Sequence, residues 1–561
     1  MDIWAIFIAT MHLDSSSTTS NGKTYHRHLL RESYREAGKV KHRTIANLSR
    51  CSPEEIEAIR LALRHKGDLE AMIAERPALR ERQGLSVGAV WTLYQVARRL
   101  GIEQALGDSR AGRLALWQVI ARAIGQGSRL SAVRLAMSHA ACDVLGLGGF
   151  NENDLYENLD WLCERQEAIE TRLAEPRAGG GGLFLYDVTS SYLEGTQNEL
   201  GAFGYNRDGK RGKKQIVIGL LCDEEGEPLS VEVFAGNTQD TRTVAAQVRK
   251  VAARFGGGAV TFVGDRGMIK SAQMEDLGRE GFHYITAITK AQIGTLLAKG
   301  TIQMDLFDEP LAEVCVDSGE RYVLRRNPVR AGEMETTRAD KLARLERDAA
   351  ARNAYLAAHP RARVATALNA LGRHAERLRI AGWVEVTGDE GKRTVELRTD
   401  VEARAEDAKL DGCYVLKTDL LPATASKETV HGRYKDLALV EQAFRTSKTV
   451  ELELRPIHVR LATRTRGHVL VVMLAYRIVR ELARCWAALD ATVQEGLNEL
   501  ASLCAKELVQ NGRALCNEIP EPRESVRVLL DAAQVRMPEA LPAGGAVVST
   551  KRKLPKRRKQ R

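Results

Sequence analysis

Five short apolar runs between residues 183 and 289 constrain the fold of this chain more than any other feature. An acidic hairpin turn at 223–226 joins the second run to the third, and two stretches with helical character separate the later ones. The order strand-strand-strand-helix-strand-helix-strand combines an antiparallel meander with parallel strands joined by crossover helices. We therefore expect an α/β core. The predicted strands are 183–188, 214–222, 228–234, 259–264 and 283–289, and the predicted helices are 240–255 and 270–280.

The charge balance points to a polyanionic partner. The chain carries a net charge of +10 with a pI of about 9.1, which favours nucleic acid, although a basic pI alone is weak evidence. Nine scattered cysteines form neither a zinc-site spacing nor a disulfide framework, which suggests reduced thiols in the cytoplasm. The apolar start, 1–8, has no preceding cations, so we expect no signal peptide, and the apolar segment 469–489 contains too many charges to cross a membrane.

Changes in composition divide the chain into segments. Four glycines at 179–182 form the clearest linker, and two charged helical stretches, 336–356 and 361–380, interrupt the core before it resumes near residue 411. More helix is expected from about 467 to about 509. The expected segments are 1–50 with a basic hairpin, 51–178 mainly helical and DNA-binding, 183–290 as the first part of the core, 291–410 as an inserted domain, 411–510 as the second part of the core, and 511–561 ending in a basic, disordered tail.

Two N-terminal patterns could bind DNA. Residues 23–43 carry seven Lys or Arg against two acids and read as a β-hairpin, and 91–101 could open a helix-turn-helix. A solvated charged hairpin accounts for the first pattern equally well, and ordinary helix packing is the more common reason for the second. Both explanations remain open from the sequence.

Two aspartates sit at the ends of apolar runs. Asp187 lies within Leu-Phe-Leu-Tyr-Asp-Val, where a carboxylate costs several kcal/mol unless it is paired, hydrogen-bonded or bound to a metal. Asp265 follows the predicted strand 259–264 at its carboxyl end, where α/β sheets bind their ligands. Asp265 could also be an ordinary turn or capping residue beside Gly264 and Gly267.

A third acid, Glu441, lies on a predicted helix among cations. Seven-residue spacing puts it on one stripe with Tyr434 and Lys448, bordering an apolar stripe. We expect Arg445 and Lys448 to be free to contact phosphates, although a solvated face with an ordinary Glu441–Arg445 pair would also fit. Three carboxylates suit Mg²⁺, with Mn²⁺ as a possible substitute, and paired ions of this kind catalyse phosphodiester displacement.

One further motif, 204–211, nearly spells a phosphate loop. Arg211 stands where the magnesium-binding hydroxyl would be, and a strand follows instead of a helix, so we expect no nucleotide cofactor. The cations Lys210 and Arg211 fit a nucleic-acid contact better.

Together these motifs resemble the RNase H-like fold and, more narrowly, the insertion-sequence DDE transposases whose glutamate lies in a Tyr-x-x-Arg-x-x-x-Glu-x-x-x-x-x-x-Lys signature. Leu437 stands where that signature has Arg, and either Arg445 or Arg433 could supply that cation. The matching segments are 186–190, 232–238, 264–268, 434–448, 455–458 and 467–468.

The resemblance implies metal binding by Asp187, Asp265 and Glu441, and a domain inserted before the glutamate helix. It also implies a homodimer on paired double-stranded DNA ends. For DNA contact we expect Tyr434, Arg445, Lys448, Arg266, Lys210, Arg211 and Arg455.

The expected activity is cut-and-paste transposition, in which an element end is cleaved and its 3′-hydroxyl is joined to target DNA. Two alternatives stay open: a nuclease on the same core that cuts without rejoining, and a catalytically silent DNA-binding protein.

Overall fold

The structure is a computed structural model of the chain. The tail 551–561 and the linker glycines 179–181, for which we made predictions, lie outside the described residues, as does Gly267. Within the described ranges, no helix has the length and apolar character needed to cross a membrane. The described residues are 10–20, 23–36, 38–66, 68, 80–174, 182–255, 260–266, 268–317, 319–449, 451–510, 513–544 and 548–550.

The chain divides into two compact units, and the smaller comprises 1–85, 504–521 and 538–543. Its N-terminal part is a three-stranded antiparallel sheet in which the predicted basic hairpin is confirmed as the second and third strands. A helix follows, and Ser52 and Glu55 form the capping box at its start. The elements are β1 Thr10–Ser20, β2 Lys23–Glu36, β3 Lys39–Asn47, α1 Pro53–Arg64 and β4 Arg80–Ser86.

The larger unit begins with helices. The predicted segment 51–178 is mainly helical, but it also contains β4 and is divided between the two units near residue 85. The packing of these helices buries Trp117, Leu155 and Leu159 almost completely, so the apolar periodicity of this region serves packing. The helices are α2 Gly88–Arg99, α3 Ile102–Leu106, α4 Arg110–Ile124, α5 Arg129–Ala136, α6 Ala141–Leu145 and α7 Glu152–Ala174.

The predicted strand and helix order of the core is confirmed. Three antiparallel strands are followed by two strands that run parallel to the first, each after a helix, which is the RNase H-like arrangement. Phe184, Phe262 and Phe282 pack together in the core beneath the sheet. The elements are β5 Leu183–Tyr192, β6 Gln215–Cys222, β7 Pro228–Ala235, α8 Asp240–Phe255, β8 Thr261–Gly264, α9 Ser271–Arg279 and β9 His283–Ala287.

Two unpredicted strands within 291–410 belong to the core sheet rather than to a separate insertion. The eight strands are ordered β10-β11-β14-β9-β8-β5-β6-β7. The helices and hairpin between β11 and β14 have a core of their own around Leu345, Leu371 and Trp383. The elements are α10 Lys290–Ala298, β10 Ala312–Cys315, β11 Arg321–Arg326, α11 Pro328–Ala358, α12 Val364–Leu378, β12 Val384–Asp389, β13 Thr394–Thr399, α13 Val401–Ala408 and β14 Cys413–Thr418.

The predicted single helix around Glu441 is wrong, because the chain breaks at Asp436. The Leu439 N–H donates to Asp436 O at 2.9 Å, the i→i+3 bond of a tighter turn. The prediction of helix up to about 509 is also wrong, since β15 begins at Cys504 and pairs in the smaller unit's sheet, ordered β17-β16-β15-β4. The elements are α14 Lys427–Lys435, α15 Leu437–Lys448, α16 Ala462–Cys485, α17 Val493–Ala501, β15 Cys504–Gln510, β16 Arg513–Glu518, α18 Glu524–Ala532 and β17 Ala540–Pro542.

Candidate active site

The two strand aspartates lie at the same level of the sheet. Strands β5 and β8 are parallel neighbours, with Tyr186 in register with Gly264. Asp187 and Asp265 each follow one residue later, so the two carboxylates leave adjacent strands at the same position. Asp187 is partly exposed among buried neighbours, whereas Asp265 is exposed beyond the end of its strand.

The third acid lies on α15, which packs on β5. Val440 is fully buried, and Leu437 and Phe444 are 8% and 7% exposed, so these three form the buried face of the helix. Glu441 follows Val440 and is exposed at the border of that face. The apolar stripe thus fixes the rotation of the helix, and the Glu441 charge acts on Asp187.

Electrostatics links the three acids. The pKa of Asp187 rises to about 7, mainly because burial disfavours its charged form and further because Asp265 and Glu441 are negative neighbours. The Val188 backbone and Arg207 act in the opposite direction, lowering this pKa. A carboxylate so perturbed by two others marks a site where negative charge is concentrated and a cation would be stabilised.

The donor set fits a divalent cation. All three groups offer carboxylate oxygens, the ligands that Mg²⁺ and Mn²⁺ prefer, and their mutual repulsion would be relieved by a bound cation. Among the described residues, no three His, Cys, Asp or Glu side chains are already close enough to share one ion.

Tyr434 orients one of these acids. Its hydroxyl donates to Asp265 Oδ1 at 3.1 Å, and burial together with the Asp265 charge raises the pKa of the phenol well above its ordinary value. The phenol therefore stays neutral and donates. Tyr434 belongs to α14, so the predicted single stripe with Glu441 and Lys448 is replaced by two helices that reach the site separately.

Lys448 is not free to contact phosphates, contrary to our expectation. It is 9% exposed, and its ammonium donates to Thr189 Oγ1 at 2.6 Å and to Asp208 Oδ1 at 3.0 Å. The Asp208 side chain is only 2% exposed and also accepts from Arg455 Nη1. Lys448 therefore links the end of α15 to β5 through Thr189 and to the loop before β6 through Asp208. Arg455 is bound to the same buried carboxylate.

Asp208 was missed in the sequence because it lies in the phosphate-loop-like segment, which was assessed for its cations. A single acid among several cations was the available signal, since such an acid can organise its neighbours. Arg207 lies in the same segment and was also missed, because only Lys210 and Arg211 were selected from its cations. It donates to both carboxylate oxygens of Asp240, at 2.8 and 2.7 Å, and its charge also acts on Asp187.

The remaining predicted cations lie at the surface. Arg266 follows Asp265 directly, and Arg445 lies one turn after Glu441 on α15, and both are exposed. Lys210 and Arg211 are exposed in the loop between β5 and β6, with the Lys210 ammonium 5.8 Å from the Tyr192 ring centre. Their exposure leaves these four cations accessible to a polyanion.

Comparisons with known proteins identify the family of this chain. A family model described as "Transposase DDE domain" matches residues 178–478, more than half of the 561-residue chain. A model described as "IS1634 family transposase, N-terminal domain" matches residues 13–75. Among solved structures, the chain is similar to a piggyBac transposase synaptic complex with hairpin DNA, with a TM-score of 0.34, 8% identity, and coverage of 79% of this chain and 75% of that one. No curated protein sequence matches it. The chain belongs to the insertion-sequence DDE transposases, a family of DNA-transposing enzymes that use divalent metal ions.

Proposed function

We propose that Asp187, Asp265 and Glu441 are the metal-binding residues of this transposase, with Mg²⁺ as the metal and Mn²⁺ as a substitute. The observation that carries the proposal is geometric: Asp187 and Asp265 follow in-register positions of adjacent parallel strands, and the helix that carries Glu441 packs on β5. The pKa of Asp187, raised mainly by burial and further by the two other acids, supports it. A bound metal would supply Lewis-acid activation of the attacking oxygen and charge neutralisation of the leaving one.

The chain's own residues supply position and charge. Tyr434 holds the Asp265 carboxylate in one orientation through its hydroxyl. Asp208 holds Lys448 and thereby the end of α15, so that Glu441 stays at the edge of β5. These contacts reduce the motion needed to bring the three acids together, which is how a positioned site lowers an activation barrier.

Exposed cations would hold DNA across this site. Arg266 and Arg445 flank the acids, and Lys210 and Arg211 extend the basic surface along the loop before β6. Leu437 occupies the arginine position of the family signature and is 8% exposed. Of the two candidate replacements, Arg445 is exposed and Arg433 is half-buried, so we assign the missing cation to Arg445. Phosphate contacts of this kind fix the register of the duplex without reading its sequence.

The proposed reaction is cut-and-paste transposition by a homodimer on two DNA ends. Hydrolysis breaks the phosphodiester bond at an element end and frees a 3′-hydroxyl. That hydroxyl then attacks a target phosphodiester, so one bond forms as another breaks and the target's own 3′-oxygen leaves. The same carboxylates serve both steps, because each is an in-line displacement at phosphorus.

The test uses duplexes made from the DNA that borders the gene, with Mg²⁺ and a plasmid target. Asp187→Asn, Asp265→Asn and Glu441→Gln should each lower cleavage at least about a hundredfold while DNA binding persists. Glu275→Gln, an exposed acid paired with Arg279 on α9, is the matched control and should cleave normally. Full activity in any of the three variants would overturn the assignment, and cleavage without strand transfer would identify a nuclease instead.

A further inference from the structure

A second cationic site lies away from the three acids. A cavity of about 230 Å³, here called the anion cavity, is lined by side chains of α4, α5 and α16 and by the segment 453–459. The residues that determine its charge are Arg122, Arg129, Glu453, Arg455, His458 and His468. None of the expected metal ligands lines it.

Two buried guanidinium groups in its wall bond only to neutral partners within the described part of the chain. Arg129 is 6% exposed, and it donates to Gln118 Oε1 and to His468 Nδ1 at 3.0 Å. Arg122 is 5% exposed and donates to the Gln126 and Leu452 carbonyl oxygens. Its buried Nε has no hydrogen-bond partner among the residues that the structure describes. A buried cation costs free energy until an anion compensates it.

The cost is visible in the acid–base properties of these groups. Burial lowers the pKa of Arg122 to about 10, and burial together with the Arg122 charge lowers that of Arg129 to about 9. Burial and the two arginines also lower the pKa of His468 well below its ordinary value. His468 is therefore neutral, and its Nδ1 accepts from Arg129. The cavity wall thus retains two arginine charges.

One acid and one helix end complete the cavity. Glu453 is the only acid among its described lining residues, and it is exposed rather than bonded inside. The N-terminus of α5 also forms part of the wall, through Gly127 and Ser128. The amides of a helix N-terminus favour an anion. Here they act beside two guanidinium groups that form no ion pair within the described residues, although the Glu453 charge partly offsets the effect of burial on the pKa of Arg122.

We propose that the anion cavity binds one phosphate group, and that this phosphate belongs to the backbone of the DNA held at the active site. The second half of the proposal rests on the proposed function. It is favoured because Arg455 lines the cavity and also bonds Asp208, the carboxylate that holds Lys448. A phosphate in the cavity would therefore be coupled to the end of the helix that carries Glu441.

The first experiment tests the cavity with inorganic phosphate alone. The melting temperature of the full chain is measured across a phosphate titration at constant ionic strength, set by sodium chloride. We expect saturable stabilisation of the wild type by phosphate. Arg122→Gln should abolish it, and Arg134→Gln, an exposed cation on α5 outside the cavity, should leave it unchanged. Equal curves for all three proteins would overturn the proposal.

A variant that binds phosphate more tightly would distinguish a phosphate site from an arginine cluster that only stabilises the fold. Glu453→Gln removes the one acid of the lining without touching a buried side chain, so it should tighten phosphate binding about tenfold, the effect of roughly one charge-assisted interaction. A structural cluster predicts no change, and no change would overturn the proposal even if Arg122→Gln fails to fold.

The second experiment distinguishes DNA phosphate from free phosphate. Duplexes of the DNA that borders the gene are made with a single neutral methylphosphonate linkage, whose position is varied from one duplex to the next. At one linkage the wild type should lose about tenfold in affinity, whereas Arg122→Gln should lose nothing further there. If free phosphate binds but no linkage behaves in this way, the DNA source is overturned. Normal cleavage by the wild type in that case would leave the proposed function intact, so the two failures are distinguishable.

Discussion

We expect that replacing Asp208 by Asn will destabilise the larger unit, because Asp208 anchors Lys448 at the end of α15. The substitution keeps the shape of the side chain and removes its charge. Lys448, which is 9% exposed, would then keep its hydrogen bond to Thr189 Oγ1 but lose the negative charge that compensates its own. Removing one member of a buried ion pair costs about 3–5 kcal/mol. Arg455 is 31% exposed and can turn to water, so we expect about 3 kcal/mol.

The assay is a double-mutant cycle with Lys448→Met, followed by denaturant unfolding and by cleavage. Lys448→Met leaves Asp208 bonded to Arg455 and should cost less than Asp208→Asn. The double variant should cost less than the sum of the two, with a coupling of about 1–3 kcal/mol. Cleavage should fall in Asp208→Asn because the end of α15 loses its anchor.

A matched control lies in the same loop. Glu194 accepts from Lys213 at 2.9 Å, and both side chains are more than 40% exposed. Glu194→Gln should therefore cost no more than about 1 kcal/mol, since exposed ion pairs are screened by water. Additive energies in the cycle, or equal costs for Asp208→Asn and Glu194→Gln, would refute the idea that Asp208 anchors the glutamate helix.

Three further predictions concern the site itself. The pKa of Asp187 is raised to about 7 in the folded protein. In metal-free protein its contribution to stability is therefore present below the pKa of the unfolded chain, about 3.9, and is lost as the pH rises toward 7. The free energy of unfolding measured between pH 4 and pH 8 in EDTA should show this decrease, and Asp187→Asn should flatten it. Tyr434→Phe removes the donor to Asp265 and should slow cleavage about tenfold without changing DNA affinity; an unchanged rate would rule out its orienting role. Lys210→Gln combined with Arg211→Gln should weaken binding on every DNA sequence and reduce the slope of log affinity against log salt by about 2; an unchanged slope would remove both residues from the DNA contact.

The core strands were predictable because their apolar runs are short and bounded by turn residues. β5 and β6 are almost continuously buried, so the sequence had to be apolar there whatever the neighbouring strands were. The strands β10 and β11, which form one end of the sheet with β10 at its edge, were missed. Arg321 in β11 is 2% exposed and donates to the Leu420 and Ala425 carbonyl oxygens. Nothing in the sequence indicates that this arginine is buried, so its charge hides the strand.

The helix break at Asp436 was hidden for a different reason. Seven-residue spacing predicts a shared stripe only when the helix is continuous, and the residues 434–448 contain neither proline nor glycine. The break depends on a local i→i+3 bond and on the separate packing of α14 and α15. Propensity carries no sign of either, since both depend on contacts made by the folded chain.

Lys448 could be identified as a signature residue from the sequence, but its role could not. The sequence identified Lys448 as a member of the signature, and a lysine beside an exposed acid is usually solvated. Its role depends on Asp208, which lies 240 positions earlier in the chain and is brought under α15 only by the fold. The same carboxylate also bonds Arg455, which lines the anion cavity. The charge of Lys448 is therefore neutralised by a buried acid. The cations that we propose for DNA contact are instead the exposed Arg266, Arg445, Lys210 and Arg211.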